Sequence, residues 1–407
     1  MKKPELLAPA GNFEKLKFAL HYGADAVYCG GQQFGLRAKA DNFDLDGLKE
    51  AVAYVHEKGK KIYVTLNMIP HNEDLLGLPE YLEELDKMAV DGVIVADPGI
   101  FSVVREVAPK LKISVSTQAN NTNWRSVKFW QDLGAKRIVL ARELGLKEIK
   151  EIREKVSKEM EIETFVHGAM CISYSGRCLL SHYMTGRNSN QGDCAHPCRW
   201  QYHLIEATRP KETFTIEESD KGSFIFNSKD LCLINEIPDL MAAGVDSFKI
   251  EGRMKSLYYV ATVVSTYRKV IDEVFENPGL AEVDDAYYQE LTKVSHRNYT
   301  SGFFHGKTIA EDQNYGSSSY TRAYDFVGVV LSYDEATGLA TIQQRNKISV
   351  GDEIEVMIPG KGFFVQRAKD LFDEKGQVLE ATPHPKMVYR MKMDQAVAPM
   401  DILRKKD

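Results

Sequence analysis

The residues best suited to chemistry sit in one stretch. Cys171, Cys178, Cys194 and Cys198 are four of the six cysteines, and they lie between His167 and His203 with His182 and His196 among them. Several thiolates desolvated together need a compensating charge, and a metal centre supplies it. Zinc ribbons favour two short Cys-x2–4-Cys knuckles. Only Cys194 and Cys198 have such a spacing, whereas Cys171 and Cys178 stand seven positions apart. Iron–sulfur clusters tolerate irregular spacing, because loops supply sulfurs to a wide cluster edge. Spacing alone leaves cluster and zinc both open, against the plainer reading of inert buried thiols. Cys232 would fold back beside the group if the Cys171 loop lay at a common rim. Cys29, ending the run "VYC", reads as a small core residue.

Charge reverses locally around these thiols. From Cys171 to His203 there are Arg177, Arg187 and Arg199, a single acid, Asp193, and no lysine. Guanidinium groups suit phosphate or carboxylate. The alternative is that they neutralise cluster charge or pair with barrel acids.

The elements that must position this stretch follow one grammar. Eight short apolar runs recur: Glu5–Pro9, Gly23–Gly31, Lys61–Asn67, Asp91–Gly99, Lys112–Gln118, Gly134–Leu144, Ile162–Gly168 and Gly244–Arg253. Helical periodicity separates most of them, as in "NFEKLKFALHYG" with Asn12 as cap, "FDLDGLKEAVAYVHEKG", "LCLINEIPDLMAAG" and "SLYYVATVVSTYRKVIDEV". Alternating strands and helices mean a parallel sheet with right-handed crossovers. Eight such units, without a Gly-rich dinucleotide turn, predict an α/β fold of (β/α)8 TIM type. The barrel domain spans residues 1–305, with an inserted cysteine-rich loop at 171–232 that contains a candidate hairpin of "QYHLIEA" and "GSFIFN". A polar connector, 306–325, leads to an all-β pattern at 326–407, read as a small C-terminal antiparallel β-barrel.

Barrel enzymes place chemistry where strands end. Those ends carry Arg37, Asn67, Asp97, Gln118, Arg142 with Glu143, His167, and Glu251 with Arg253 and Lys255. Glu163, Phe165 and His167 alternate and are expected on one inward face. Glu163, His167, Glu251 and Arg253 are therefore the catalytic candidates. Arg37, Asn67, Gln118, Arg142, Arg177, Arg187, Arg199 and Lys255 are the substrate-binding candidates.

Composition sets outer limits. The 407 residues carry 52 basic and 58 acidic side chains, a net charge of −6 that argues against a wholesale nucleic-acid binder but leaves room for a local basic patch. "MKKPELLAPAGN" has no apolar segment after its lysines, and no run approaches bilayer length. A cytoplasmic protein without a membrane partner is expected, where clustered cysteines read first as metal ligands or redox groups.

The stretch Glu163-x-Phe165-x-x-Gly168-Ala169-Met170-Cys171-x4-Gly176-x-Cys178-x-Leu180-Ser181 resembles the signature of the collagenase-like peptidase U32 family. "LLAPAGN", "LRAKADNF", "CRW", "FNSKDL", "KIEGRMKS" and "SHRNYTSGFF" extend the likeness over nearly the whole chain. Length and architecture are most similar to its tRNA-hydroxylation members. That resemblance implies a tRNA-modifying enzyme making 5-hydroxyuridine at the wobble position, with prephenate as a linked carboxylate metabolite and a 4Fe–4S cluster. It aligns Cys171, Cys178, Cys194 and Cys232 with cluster ligands and leaves Cys198 as an alternative. A metal- or thiol-dependent peptidase using a cysteine with His167 or His196, and an RNA-binding protein with a structural zinc, are the competing readings.

Overall fold

A computed structural model describes residues 2–35, 41–171, 173–202, 204–205, 213–214, 223–224, 228–306 and 320–407. Eight parallel strands close into a barrel: Glu5–Pro9, Ala26–Gly30, Lys61–Leu66, Gly92–Val95, Ile113–Val115, Arg137–Val139, Glu161–Ala169 and Ser247–Ile250. Each pairs with the next of the eight, the seventh reaching the eighth across the long segment between them. The eighth also pairs with the first and completes the ring. These are the eight runs that the sequence marks. Parallel strands covered on both faces are apolar throughout, which is why they stand out.

Helices between the strands begin at side-chain caps. Asn12 accepts from Lys15 N at 2.9 Å, and Asp44, Asp97, Asn123 and Ser256 cap their helices likewise. Helix Pro98–Val107 went unrecognised from sequence, because "DPG" resembles a turn. Here Asp97 is the cap and Pro98 opens the first turn, where its missing N–H costs nothing. "LCLINEIPDLMAAG" is not one helix. Asp230–Cys232 is a strand antiparallel to the seventh barrel strand, and the helix starts only at Ile237, beside Pro238.

The predicted hairpin forms in part, with Gln201–Tyr202 antiparallel to Ser223–Phe224. The polar segment after helix Leu257–Glu276 does more than connect. Tyr299–Thr300 adds to the strand Asp230–Cys232. Fully buried Arg297 donates from Nε to Asp230 at 3.0 Å and fixes this segment against the barrel.

The C-terminal region, Tyr324–Lys406, folds as a seven-stranded antiparallel sheet around its own core of Val327, Ile342, Val356, Tyr389 and Leu403. It is anchored on the barrel. Tyr22 donates to Met357 O and Met400 O, and fully buried Arg404 reaches Glu290 and Tyr258. No helix among the described residues is long and apolar enough to cross a membrane.

Candidate functional site

The barrel interior is layered. At the N-terminal ends of the strands, Arg137 Nη1 donates to Glu5 at 2.6 Å and Glu163 at 2.9 Å, and its Nε donates to Glu161 at 2.8 Å. Lys249 Nζ donates to the other oxygen of Glu163 at 2.8 Å, and Ser247 Oγ donates to Glu163 at 3.1 Å. Burial opposes the Arg137 charge, but Glu163 and Glu5 outweigh it and hold the guanidinium protonated. Above this network come Leu7, Tyr28, Tyr63 and Ile94, with Lys249 lying against Tyr28 and Phe165.

Glu163 is therefore part of a closed ion network deep in the barrel, not a catalytic carboxylate at the rim. His167 also departs from expectation. The register between the seventh and eighth strands shifts, so that Phe165 pairs with Lys249 but His167 pairs with Ile250. This bulge turns His167 off the inward face of Glu163 and Phe165. Its ring packs among Tyr259, Tyr267 and Tyr299. Tyr267 Oη lies 3.3 Å from Nδ1, and Tyr299 Oη lies 3.5 Å from Nε2. Burial drives the His167 pKa down to about 3, so the ring is neutral.

The open end of the barrel gathers the remaining candidates. Arg253 reaches from beyond the eighth strand to Thr65 Oγ1 at 3.2 Å and Asn42 Oδ1 at 2.6 Å. Two glycines make room for it: a Cβ on Gly30 would fall 2.1 Å from its guanidinium, and one on Gly11 would fall 2.3 Å from its carbonyl oxygen. Asn67 Nδ2 donates to Gln118 Oε1 at 2.6 Å. Arg142 donates to Ala169 O at 2.7 Å and Ser175 Oγ at 2.8 Å. Burial works against the Arg142 charge, but Cys171, Glu143 and Glu251 nearby raise its pKa. Lys255 donates to Ser295 O and lies 3.8 Å from the Tyr320 ring centroid. Glu251 stays at the rim, its N–H donating to His167 O. Arg37 lies outside the described residues.

The cysteine loop sits on this rim. Arg177 Nε donates to Asn120 Oδ1 at 2.8 Å, Asn120 Nδ2 donates to Ser175 O at 3.0 Å, and Ile69 N donates to Asn190 O at 3.1 Å. Arg187 pairs with Asp193 of the same loop at 2.9 Å, not with a barrel acid, and Arg199 approaches Tyr320 Oη at 3.5 Å. Cys198 is a half-buried thiol on this loop. Burial pushes its pKa up, Arg199 pulls it down, and Cys171, Cys194 and Cys178 add to the rise. Cys194 Sγ accepts from His196 N at 3.3 Å.

Cys232 lies on the strand that follows the loop. It stands opposite His167 in the strand ladder, 3.9 Å from Tyr267 Oη, and burial pushes its thiol up to about 12. Cys29 is fully buried and also pushed up to about 12, as a core residue should be. Among the described residues no three His, Cys, Asp or Glu side chains are close enough to hold a single metal ion.

Sequence reasoning missed Asn42, Thr65, Asn120, Asn121 and Ser175. The available signals were the run "ANN" directly after Gln118 and the motif "LRAKADNF", which contains Asn42.

Fold and site together define a TIM-type barrel whose open end is capped by a loop bearing four thiols. The chain belongs to peptidase family U32: residues 11–314 match that family, and residues 322–404 match its C-terminal domain. It is 47% identical to tRNA hydroxylation protein P1 of Bacillus subtilis, over 99% of this chain and 95% of that protein. It is 38% identical to tRNA hydroxylation protein P of Escherichia coli, over 94% of this chain and 92% of that protein. A protein named collagenase from Porphyromonas gingivalis is 29% identical over 99% of this chain and 98% of its own length.

Proposed function

We propose that this protein is a tRNA-modifying enzyme of the oxygen-independent hydroxylation type, forming 5-hydroxyuridine at the wobble position. The observation that carries the reading is a loop bearing four cysteines with arginines interleaved, hydrogen-bonded onto the open end of a barrel in a chain whose relatives are named for tRNA hydroxylation. The donor set fits a 4Fe–4S cluster better than zinc. Cys171 and Cys178 stand seven positions apart, outside the short knuckle spacing that zinc ribbons favour, and a cluster tolerates such irregular spacing. Cys171, Cys178 and Cys194 would hold it. For the fourth position the family resemblance points to Cys232 and the grouping of thiols points to Cys198. Iron content of Cys198→Ser and Cys232→Ser, measured side by side, decides between them. The cluster, when bound, would supply electron transfer next to the base.

The chain's own residues do the rest. Arg142 and Arg253 place fixed positive charge at the mouth, suited to a carboxylate metabolite such as prephenate. Arg177 and Arg199 on the loop lie where RNA phosphates would pass. A peptidase reading finds less support. Cys194 Sγ lies 3.9 Å from His196 Nδ1, beyond hydrogen-bond reach for a nucleophile and its base, and the ring nitrogens of His167 face tyrosines. Nucleoside analysis of tRNA from a deletion strain tests the proposal. Loss of 5-hydroxyuridine, restored by the wild-type gene and not by Cys171→Ser, is expected. Unchanged 5-hydroxyuridine in a strain without a paralogue would overturn it.

A further inference from the structure

Buried carboxamides at the barrel mouth remain unaccounted for. Asn67 gives its Nδ2 hydrogen to Gln118 Oε1 at 2.6 Å, and Ser116 Oγ donates to the same oxygen at 3.4 Å. These bonds fix both amides. Gln118 has its oxygen engaged and its Nε2 donor left over, while Asn67 has its nitrogen engaged and its Oδ1 acceptor left over. Asn67 Oδ1 is buried with no partner among the described residues. A third carboxamide, Asn121, is fully buried, and neither its Nδ2 nor its Oδ1 has a partner among the described residues. A buried polar atom left unmatched costs roughly 1–3 kcal/mol, so an amide ring of this kind is expected to meet a ligand or water.

The location favours a ligand. Asn67 follows the third barrel strand and Gln118 the fifth, both at the open end. Gly176, between Cys171 and Cys178, backs onto Gln118: a Cβ there would lie 3.1 Å from Gln118 Cβ. The amide pair thus lies directly against the thiol-bearing loop.

We infer that Asn67 and Gln118 read the hydrogen-bonding edge of a pyrimidine base, and that for the RNA substrate proposed above this base is uracil. The match is one of donor and acceptor order. Uracil offers N3–H between the acceptors O2 and O4, so N3–H donates to Asn67 Oδ1 while Gln118 Nε2 donates to one of the flanking oxygens. A carboxylate would satisfy the donor but repel the acceptor. Bound in this way the ring leaves C5, the carbon to be hydroxylated, clear of both amides. Reading a base by this edge requires that it leave its stack, as in other enzymes that act on a base.

The inference rests on the tRNA reading, and the experiment separates the two. Full-length protein, purified anaerobically, is titrated by fluorescence anisotropy with an anticodon stem-loop RNA carrying either uridine or 3-methyluridine at the wobble position. The methyl group deletes the N3–H donor and leaves C5 untouched. Wild-type protein is expected to bind the methylated RNA roughly tenfold more weakly, the scale of a lost paired contact to a base edge. In Asn67→Leu the methyl group should make no further difference, which a merely structural role for Asn67 would not produce. The wild-type comparison stands even if that variant fails to fold. Equal binding of the two RNAs by wild-type protein overturns the inference and leaves the tRNA reading intact, with water as the partner of the amides. Binding of neither RNA overturns both.

Discussion

The two ends of the barrel are both rich in polar side chains and could hardly be more different in how those side chains are used. At the closed end Glu5, Arg137, Glu161, Glu163, Ser247 and Lys249 satisfy one another within a single network. At the open end Asn67 Oδ1, both side-chain atoms of Asn121 and Arg142 Nε are buried without partners among the described residues. The contrast teaches how to read buried polarity in this fold. A network that closes on itself holds the strands in place, whereas one that stops short is waiting for something from outside.

The comparison can be broken most severely at the closed end. Glu163→Ala strips Arg137 and Lys249 of a shared counter-charge and should cost about 3–5 kcal/mol of stability. Urea unfolding measures it, and a loss under about 1 kcal/mol would show that the network is dispensable. At the open end the expected pattern is reversed. Cys171→Ser should leave stability within about 1 kcal/mol of wild type, while iron and sulfide content and 5-hydroxyuridine formation collapse; retained iron would remove Cys171 from the centre.

A third test concerns His167, between the two ends. Its folded pKa, about 3, lies below the ordinary histidine value because of burial. The unfolded chain therefore takes up a proton that the folded chain refuses, and stability falls as pH drops from about 6.5 towards 3. The slope from this one group approaches roughly 1.4 kcal/mol per pH unit. Thermal unfolding of His167→Gln at pH 7 and pH 5 should show a shallower loss than wild type; equal slopes would refute it. The smallest effect is expected on the loop surface. Arg187 is half-exposed and already paired with Asp193, so Arg187→Ala should change stability and RNA binding by less than about 1 kcal/mol, measured by the same anisotropy titration.

The eight strands were legible because each is a short apolar run between helices, and the thiol group because cysteines seldom crowd by chance. What stayed hidden depends on contacts across the chain. Glu5 meets Arg137 and Asp230 meets Arg297 only after folding. The bulge that turns His167 away from Glu163 is a property of strand register, which alternation in the sequence cannot express. Arg253 was found as a charged residue near a strand end. The glycines that let it cross the mouth, Gly11 and Gly30, looked like ordinary turn residues. Asn121 was overlooked because an asparagine in a loop is commonplace; only its complete burial sets it apart.

The closed network of Arg137 and Glu163 also governs traffic. A barrel stoppered at one end has a single doorway, so whatever reacts in it must leave by the route it entered. In the proposed reaction the RNA base, the carboxylate metabolite and the product would share one opening. Turnover would be ordered, each arrival waiting on a departure, and accumulated product would compete with fresh RNA for the same entrance.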